Sequence, residues 1–452
     1  MRLKSIKNKA LVIWGAGKEG ISALRWLRRF YPEKILTVLT DTEIDPVTQS
    51  ELQIFAPLVF ESGTATAETL KRADVVIKSP GISLYRNEVA AAKQVNTLFT
   101  STANLWLAEI LPQKIIAVTG TKGKSTTSAM IHHALEKMRV ATALGGNIGT
   151  PLLDLWDKKN QVDIWVVEFS SYQTADLNFH PTIGVLLNLY PEHIDWHQSL
   201  DNYFHDKLNL FKPGEDHQTI LNSNDSQTMQ MTAKWPNLTF FGSKEGIHFK
   251  ARYLYDGTQN LGQVKNPDLA GDHNLSNVCA ALTAIKIAGF DPADALSALS
   301  DFKGLPHRQQ ILGTRNRVTY VDDSISTTPE TALAAVDRFD EGPITLILGG
   351  YDRKQDYKNF AARLCQKNVH TVITIPDNGP RISRALHDAN LQNKSGPKIV
   401  ETENMAAAVA AARRLTRTGG IVILSPAAPS YGRYVNYIER GKLFAKEAGF
   451  DV

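Results

Sequence analysis

Cysteine is scarce in this chain, which has only Cys279 and Cys365 among its 452 residues. Two cysteines cannot supply the disulfide framework of a small secreted domain, and their spacing does not match a zinc site. Both fall in segments with helical patterns. We therefore predict two buried small hydrophobic side chains in a protein of a reducing compartment.

Long apolar runs and strong net charge are also missing. No run approaches the ~18 apolar residues of a membrane span, and the first apolar run ends in a glycine turn instead of a signal-peptide cleavage site. The formal charge of +4, from 50 basic and 46 acidic residues, is weak for this length and does not indicate a nucleic-acid binder. We expect a cytoplasmic protein with neither nucleic-acid nor membrane partners.

Strand and helix signals alternate along three successive segments, which predicts the α/β class with mostly parallel sheets. At 452 residues the chain is too long for one ordinary core. We place the domain boundaries near residues 98 and 303, giving a Rossmann-like domain (1–98), a central P-loop domain (99–303) and a second Rossmann-like domain (304–452). The apolar strands are ALVIWG, ILTVLTD and DVVIKSPG, then KIIAVTG, VDIWVVEFSS and TIGVLLNLYPEH, and finally VTYVDDS, ITLILGG, VHTVITIP and IVILSP.

The stretch TGTKGKSTT lies between the strand KIIAVTG and a helical pattern. It lacks the first glycine of the common P-loop, because Val118 occupies that position. The amides of Thr121 to Gly123 can still surround phosphates, Lys124 can reach the terminal phosphate, and Ser125 can bind Mg²⁺. The context favours a nucleotide site over a chance glycine turn.

A second glycine loop, GAGKEG, follows the first strand and opens a helix, and Asp41 ends the next strand. This G-x-G-x-x-G form suits phosphate binding at a helix N-terminus. Alone it is compatible with a plain tight turn or with the dinucleotide site of a dehydrogenase.

Acidic and histidine side chains follow two strands of the central segment. Glu168 ends IWVVE, which favours a Mg²⁺ ligand over a turn cap once a P-loop is present. Glu192, His193, Asp195 and His197 lie in NLYPEHIDWH, where a metal or catalytic histidine is as well supported as a structural one. Lys207, in DKLNLF, is by itself an ordinary solvated helix lysine.

Taken in order, these motifs resemble the Mur ligase family, cytoplasmic ATP-dependent ligases that build the stem peptide of peptidoglycan. The resemblance covers nearly the whole chain, and the loop TGTxGK[ST] of the family explains Val118. The short first domain with GAGKEG is similar to that of the glutamate-adding members. The motifs are TGTKGKSTT, GGNIGTPL, VEFSSYQ, NLYPEHIDWH, DKLNLF, GDHNLSN, GLPHR, VDDS and LSPAAPS.

The resemblance implies a role for each matching position. Contacts to a UDP-linked substrate fall at Gly17, Lys18, Glu19, Asp41, Thr42, Ser79, Asn147, Ser170 and Gln173. Contacts to ATP fall at Gly120, Thr121, Lys122, Gly123, Lys124, Ser125, Thr126, Asn274, Asn277, Arg308 and Asp323. Contacts to the incoming glutamate fall at Thr327, Arg353, Ser430, Tyr431 and Tyr437. The ligands implied for two Mg²⁺ ions are Ser125, Glu168, His193 and Lys207, with Lys207 modified to a carbamate. The implied catalytic residues are Lys124, His193 and Lys207.

The implied reaction joins glutamate to UDP-N-acetylmuramoyl-L-alanine through an acyl phosphate made from ATP, in a monomeric enzyme. D-glutamate is the family default. Three departures lie around the incoming amino acid: Ile325 and Arg353 where lysine is common, and APSYGRY in place of an ASFDQF-like run. These departures favour L-glutamate.

Three alternatives remain open from the residues. A folylpolyglutamate or cyanophycin-type ligase would lack a first domain of this form. The interpretation as a dinucleotide-dependent oxidoreductase would not explain GTKGKST, Glu168 and His193. A nucleotide-binding module without catalysis would release no ADP with any acceptor.

Overall fold

The computed structural model describes residues 1–44, 46–63, 66–212, 217–269, 271–339, 342–352, 354–393, 396–430 and 432–451. These residues form two compact units, Met1–Phe302 and Lys303–Val452. Within the described ranges, no helix combines the length and the apolar character needed to cross a membrane.

The first unit opens with a parallel sheet in the order β3-β2-β1-β4-β5. All four residues of β1 and of β4 are buried, as expected for parallel strands covered on both faces. Its strands are β1 (Leu11–Trp14), β2 (Leu36–Thr40), β3 (Leu58–Ser62), β4 (Val75–Lys78) and β5 (Leu98–Thr100). Its helices are α1 (Lys18–Phe30), α2 (Pro46–Leu52), α3 (Thr66–Arg72), α4 (Asn87–Gln94) and α5 (Thr102–Ile110).

The second sheet of this unit has the order β14-β13-β12-β11-β10-β9-β6-β8-β7. It is parallel up to β12, and β13 and β14 are antiparallel, so the mostly parallel sheet is mixed at one edge. Its strands are β6 (Lys114–Thr119), β7 (Thr142–Gly146), β8 (Ile164–Glu168), β9 (Ile183–Leu186), β10 (Gln218–Asn222), β11 (Leu238–Phe241), β12 (Ile247–Lys250), β13 (Tyr253–Asp256) and β14 (Gln259–Gln263). Its helices are α6 (Lys124–Lys137), α7 (Ser171–Thr174), α8 (Ile194–His197), α9 (Leu200–Leu208), α10 (Ser226–Thr232), α11 (Asp272–Ile287) and α12 (Pro292–Ala298).

One apolar core joins the two sheets of this unit. The indole of Trp26 on α1 packs edge-on against Trp156, with ring centroids 5.5 Å apart, and Trp106 packs against Trp165 at 5.0 Å. Buried aromatic pairs of this kind have specific geometry. They fix the first sheet against the central one, so the sites at the two sheets are held within a single packed body.

The second unit contains a sheet in the order β15-β16-β20-β17-β18-β19, parallel except for the β15–β16 pair. Its strands are β15 (Gln310–Arg315), β16 (Val318–Asp322), β17 (Ile344–Leu348), β18 (Val369–Thr374), β19 (Lys398–Glu401) and β20 (Ile421–Leu424). Its helices are α13 (Pro329–Arg338), α14 (Lys358–Leu364), α15 (Gly379–Asn393), α16 (Met405–Leu415) and α17 (Tyr437–Ala448).

The predicted α/β class with three sheet-containing segments is confirmed. The prediction for the cysteines holds for Cys279, which is buried in α11. It is wrong for Cys365, which follows the end of α14 and is only half-buried. Its thiol donates to Asn390 Oδ1 at 3.2 Å, and the residue also packs against the apolar core of the second unit.

Candidate active site

The predicted phosphate loop lies between the buried strand β6 and helix α6. Gly120 and Gly123 have φ angles of 152° and 85°, a region that side chains rarely adopt. A Cβ atom on Gly123 would lie 2.5 Å from Asn277 Oδ1. Glycine is thus needed here both for the turn and for the close approach of Asn277 on α11.

Asn188, just after β9, holds the loop through both its main chain and its side chain. Its carbonyl accepts from Thr121 N at 3.0 Å, its Oδ1 accepts from Lys122 N at 2.8 Å, and its Nδ2 donates to Lys122 O at 3.1 Å. The Thr121 hydroxyl lies 2.9 Å from the Tyr203 hydroxyl. Asn188 was not predicted, although it is the first residue of the motif NLYPEHIDWH and follows a strand end.

Two lysines meet at the same loop carbonyl. Lys124 Nζ donates to the carbonyls of Gly120 and Thr121, both at 3.0 Å, and Lys207 Nζ donates to Gly120 O at 3.0 Å. Lys207 is 2% exposed. Burial, together with the positive charge of Lys124, lowers the pKa of Lys207 well below its usual value. The pair marks a place where negative charge is stabilised.

Glu168, the last residue of β8, is fully buried beside this loop. Its Oε1 accepts from Asn147 Nδ2 at 2.7 Å, whereas its Oε2 has no hydrogen-bond partner among the described residues. An unpaired buried carboxylate oxygen is costly, so the site is suited to a cation. Ser125 in the first turn of α6 and Glu168 offer oxygen ligands of the kind that Mg²⁺ prefers, and these residues fit the ion.

His193 caps α8 in the left-handed region, with a φ of 57°. Its ring centroid lies 5.0 Å from that of Tyr172, and its side chain is 45% exposed. Burial of the remainder lowers the pKa of His193, which favours the neutral form needed for a metal ligand or a base. In the ranges that the structure describes, no three His, Cys, Asp or Glu side chains are grouped to hold a metal ion.

Of the other polar residues of NLYPEHIDWH, Glu192 stays close to His193, with its Oε2 3.7 Å from His193 Nε2. Glu192 pairs with Lys122 Nζ at 2.8 Å, and Asp195 is exposed. His197 is fully buried and contacts Asp206 instead of the phosphate loop. The structure therefore places His193 and Glu192 near the loop and His197 behind it.

The first glycine loop presents an open helix N-terminus. A Cβ atom on Gly17 would meet no atom within 4 Å, and Lys18 is exposed. The buried hydroxyl of Ser79, at the end of β4, has no hydrogen-bond partner within the described part of the chain. Both features suit a bound ligand at this edge of the first sheet.

Asp41 is held by a residue that the sequence did not single out. Its Oδ2 pairs with Arg86 Nη1 at 2.8 Å, and its Oδ1 accepts from Trp14 Nε1 at 3.3 Å. The Arg86 guanidinium also lies 4.8 Å from the centroid of the Trp14 ring. Arg86 thus places a cation beside Asp41, close to where an anionic substrate was predicted.

Several predicted substrate contacts are engaged within the protein. Glu19 accepts from the Thr102 hydroxyl at 2.5 Å, and burial raises the pKa of Glu19. Ser170 and Gln173 form the capping box of α7. Thr42 is exposed, and its carbonyl accepts from the Thr40 hydroxyl.

The remaining nucleotide candidates fall in both units. In the first, Asn274 Nδ2 donates to Asp268 O at 3.2 Å, and Thr126 lies in the first turn of α6. In the second, Asp323 accepts from Ser425 Oγ at 2.6 Å, and burial raises the pKa of Asp323 to about 7. Arg308 has a buried Nε without a partner among the described residues.

The glutamate candidates are only partly described. Ser430 is buried, Thr327 is half-buried, and Tyr437 begins α17. The Tyr437 carbonyl accepts from Ser324 Oγ at 2.8 Å. Arg353 and Tyr431 lie outside the described residues.

Family models match along most of the chain. The Mur ligase MurD-like N-terminal domain matches residues 9–99, the Mur ligase middle domain residues 118–285, and the Mur ligase glutamate ligase domain residues 307–428. The middle domain implies that the chain binds ATP.

Curated relatives match over the full length. The UDP-N-acetylmuramoyl-L-alanine--L-glutamate ligase of Xanthomonas campestris pv. campestris (strain 8004) is 38% identical over 460 residues, covering 100% of this chain and 97% of the relative. The ligases of the same name from Xylella fastidiosa (strain Temecula1) and Salinispora tropica are 37% and 35% identical, covering 100% and 99% of this chain and 97% and 98% of the relatives.

Solved structures share the fold. MurC from Thermotoga maritima, a UDP-N-acetylmuramate-alanine ligase, has a TM-score of 0.58 at 17% identity and covers 97% of this chain and 99% of its own. MurF from Acinetobacter baumannii has a TM-score of 0.59 at 14% identity and covers 97% of this chain and 93% of its own. With its three domain types in order and relatives matched end to end, the chain belongs to the Mur ligase family, the ATP-dependent ligases that form C–N bonds.

Proposed function

We propose that this protein uses ATP to join L-glutamate to UDP-N-acetylmuramoyl-L-alanine during the synthesis of peptidoglycan precursors. One observation carries the ligase chemistry: Lys124 and Lys207 converge on the Gly120 carbonyl beside the buried, half-satisfied carboxylate of Glu168. The names of the full-length relatives support the two substrates.

The reaction proceeds in two steps. An alanyl carboxylate oxygen attacks the terminal phosphorus of ATP, so that an acyl phosphate forms and ADP leaves. The glutamate amine then attacks the acyl carbon, the C–N bond forms, the C–O bond to phosphate breaks, and the amine loses a proton. Lys124 stabilises the negative charge on the transferred phosphoryl group, and Asn188 holds the loop that carries it.

Within this proposal, Ser125 and Glu168 would hold one Mg²⁺, and His193 and a carbamate on Lys207 would hold a second. Bound ions would supply positive charge that offsets the repulsion between the carboxylate and the phosphate. The UDP-linked substrate binds to domain 1–98 at Gly17, Asp41 and Ser79. ATP binds to domain 99–303, and glutamate binds to domain 304–452. We further propose that the enzyme acts as a monomer in the cytoplasm.

Selection between D- and L-glutamate depends on the residues that bind the incoming amino acid. Inversion at the α-carbon exchanges the directions of the side chain and the α-carboxylate, so the groups that hold the two carboxylates must differ between D- and L-specific enzymes. Ile325 stands where D-glutamate ligases often carry lysine. The main-chain amide of Ile325 donates to His307 O at 3.1 Å. The backbone at this position is therefore fixed, although its side chain carries no positive charge. Arg353 offers a two-pronged contact to a carboxylate where lysine offers a point charge.

We expect the purified enzyme, given ATP, Mg²⁺ and UDP-N-acetylmuramoyl-L-alanine, to release phosphate far faster with L-glutamate than with D-glutamate. The wrong isomer leaves one carboxylate unpaired, which should cost at least about tenfold to a hundredfold in kcat/KM. The measurement is phosphate release with each isomer separately. Strong turnover with D-glutamate and none with L-glutamate would reject the L-specific assignment.

A variant tests whether the side chain at position 325 contributes to this choice. Ile325→Lys should raise the ratio of D- to L-glutamate turnover, because it supplies an ammonium group at the position typical of D-glutamate ligases. Ile311→Lys on β15, a partly exposed isoleucine in the same unit, adds the same charge elsewhere and should leave the ratio unchanged. Equal ratios in the two variants would show that position 325 does not select the isomer.

A further inference from the structure

The loop 79–85 follows β4 and carries the proposed substrate contact Ser79. It is hydrogen-bonded to the segment 193–198 of the central part. Trp196 Nε1 donates to Gly81 O at 3.0 Å. Ser83 Oγ donates to Trp196 O at 2.6 Å, and Gln198 Nε2 donates to Tyr85 O at 3.1 Å. We call residues 79–85 the substrate loop and residues 193–198 the His193 segment.

The His193 segment has a conformation that requires such support. His193 and Gln198, which flank the short helix α8, have φ angles of 57° and 64°, a strained region for residues other than glycine. Strain of this kind persists only where surrounding contacts fix it, and it is concentrated at functional sites. The bonds from the substrate loop to Trp196 and Gln198 are contacts of this type.

The substrate loop is itself fixed by a buried cation. Lys78 is 1% exposed, and its Nζ donates to Ile82 O at 2.9 Å and to Ser79 O at 3.3 Å. The same ammonium group lies 5.5 Å from the ring centroid of Trp196. Lys78 therefore contacts both the substrate loop and the His193 segment.

A second connection runs from the substrate loop to α9, the helix that carries Lys207. The Tyr85 hydroxyl lies 3.0 Å from each carboxylate oxygen of Asp206. Burial, with the nearby charge of Asp206, raises the pKa of Tyr85 to about 12, so the phenol keeps its proton and donates it. His197 Nδ1 lies 2.5 Å from Asp206 Oδ2, and its Nε2 lies 3.0 Å from Ser171 Oγ.

Asp206 and Lys207 are consecutive on α9, so their side chains leave the helix in different directions. Asp206 reaches Tyr85 and His197, whereas Lys207 reaches the carbonyl of Gly120 in the phosphate loop. A shift or rotation of α9 at Asp206 would therefore displace Lys207 from the phosphate loop.

We infer that Tyr85 and His197 are positioning residues, which fix α9 through Asp206 and thereby couple the seating of the UDP-linked substrate to the placement of Lys207. The inference rests on the proposed function, because it concerns the phosphoryl transfer at Lys207. It predicts that removing the Tyr85 hydroxyl impairs the chemical step more than it impairs binding.

The test compares wild type, Tyr85→Phe, Asp206→Asn and the double variant in glutamate-dependent phosphate release. Rates are expressed per binding site, with sites counted by calorimetric titration with the UDP-linked substrate, so that a loss of folded protein does not lower kcat. We expect Tyr85→Phe to lower kcat about tenfold, the size of effect typical of a lost hydrogen bond to a charged group, with KM for the UDP-linked substrate changed less than about twofold. Because Tyr85 acts through Asp206, the double variant should be no slower than Asp206→Asn alone.

Tyr253→Phe, at a 44% exposed tyrosine on β13 of the same unit, is the matched control and should match wild type. An unchanged kcat in Tyr85→Phe, an effect confined to KM, or multiplied effects in the double variant would each overturn the positioning role. If the wild-type enzyme itself released no phosphate with glutamate, the proposed function would fail and this inference with it.

Discussion

Lys124→Ala is expected to slow ADP formation by roughly 10²–10³ while leaving the binding of UDP-N-acetylmuramoyl-L-alanine nearly intact. In the folded chain the Lys124 ammonium already lies at the phosphate loop, 3.0 Å from the carbonyls of Gly120 and Thr121. It therefore needs little reorganisation to meet a phosphoryl group. Loss of one such preorganised charge-stabilising contact lowers kcat by roughly 10²–10³. The UDP-linked substrate is proposed to bind at the first sheet, so its dissociation constant should change little.

The measurement is ADP release by a coupled assay, with substrate binding followed separately by calorimetry. Lys137→Ala is the matched control, because it removes the same side chain from the last turn of the same helix. Lys137 is half-exposed and pairs with Asp301, so its loss should cost no more than about 1 kcal/mol of stability and leave turnover unchanged. ADP formation by Lys124→Ala within a few-fold of wild type would contradict the phosphate-loop assignment.

The sequence predicted the parallel parts of the fold well, because their signal is local. The strand ALVIWG becomes β1 and KIIAVTG becomes β6, each a short apolar run between breakers. The edge elements were not predicted. Strand β3 has no fully buried residue, and β13 and β14 show only weak alternation of buried and exposed residues. These strands depend on pairing with neighbours that a periodicity argument does not include.

The site was predictable where a residue carries its own chemistry and unpredictable where its neighbours decide its role. Lys124 opens the helix after the glycine loop and Glu168 ends a buried strand, so motif and position agree. Arg86 belongs to no motif, and Asn188 opens the motif NLYPEHIDWH but carries no charge that would single it out. Their roles come from the groups that folding brings to them: two backbone groups of the phosphate loop for the Asn188 side chain, and Asp41 with the Trp14 ring for Arg86.

Lys207 shows the same limit most clearly. In the sequence it is one lysine of an amphipathic helix, and only the resemblance to the family gave it a role. In the structure the Lys207 side chain is only 2% exposed. Its Nζ donates to the Gly120 carbonyl and lies 5.1 Å from the Tyr203 ring centroid. An uncompensated buried ammonium group is unfavourable, and conversion to a carbamate would replace it with an anion that can support a metal ion.

The pKa of Lys207 gives this conversion a physical basis. Burial and the neighbouring Lys124 lower that pKa well below the usual value, so a larger fraction of the side chain is neutral near pH 7 than for an exposed lysine. Only the neutral amine attacks CO₂. Carbamate formation should therefore proceed at a pH where surface lysines remain protonated, and it should fail as the pH falls further below the lowered pKa and the amine becomes charged.

We accordingly expect Lys207→Ala to be inactive and to regain part of its activity when short carboxylic acids such as acetate or propionate are added. The substitution opens a space beside the phosphate loop, and a small carboxylate can occupy it and replace the missing anion near the metal site. Phosphate release is measured against carboxylate concentration and should rise and saturate. Lys250→Ala, at an exposed lysine on β12, should be fully active and unaffected by the acids. Full activity of Lys207→Ala without additives would show that neither the ammonium group nor a carbamate at this position takes part in catalysis.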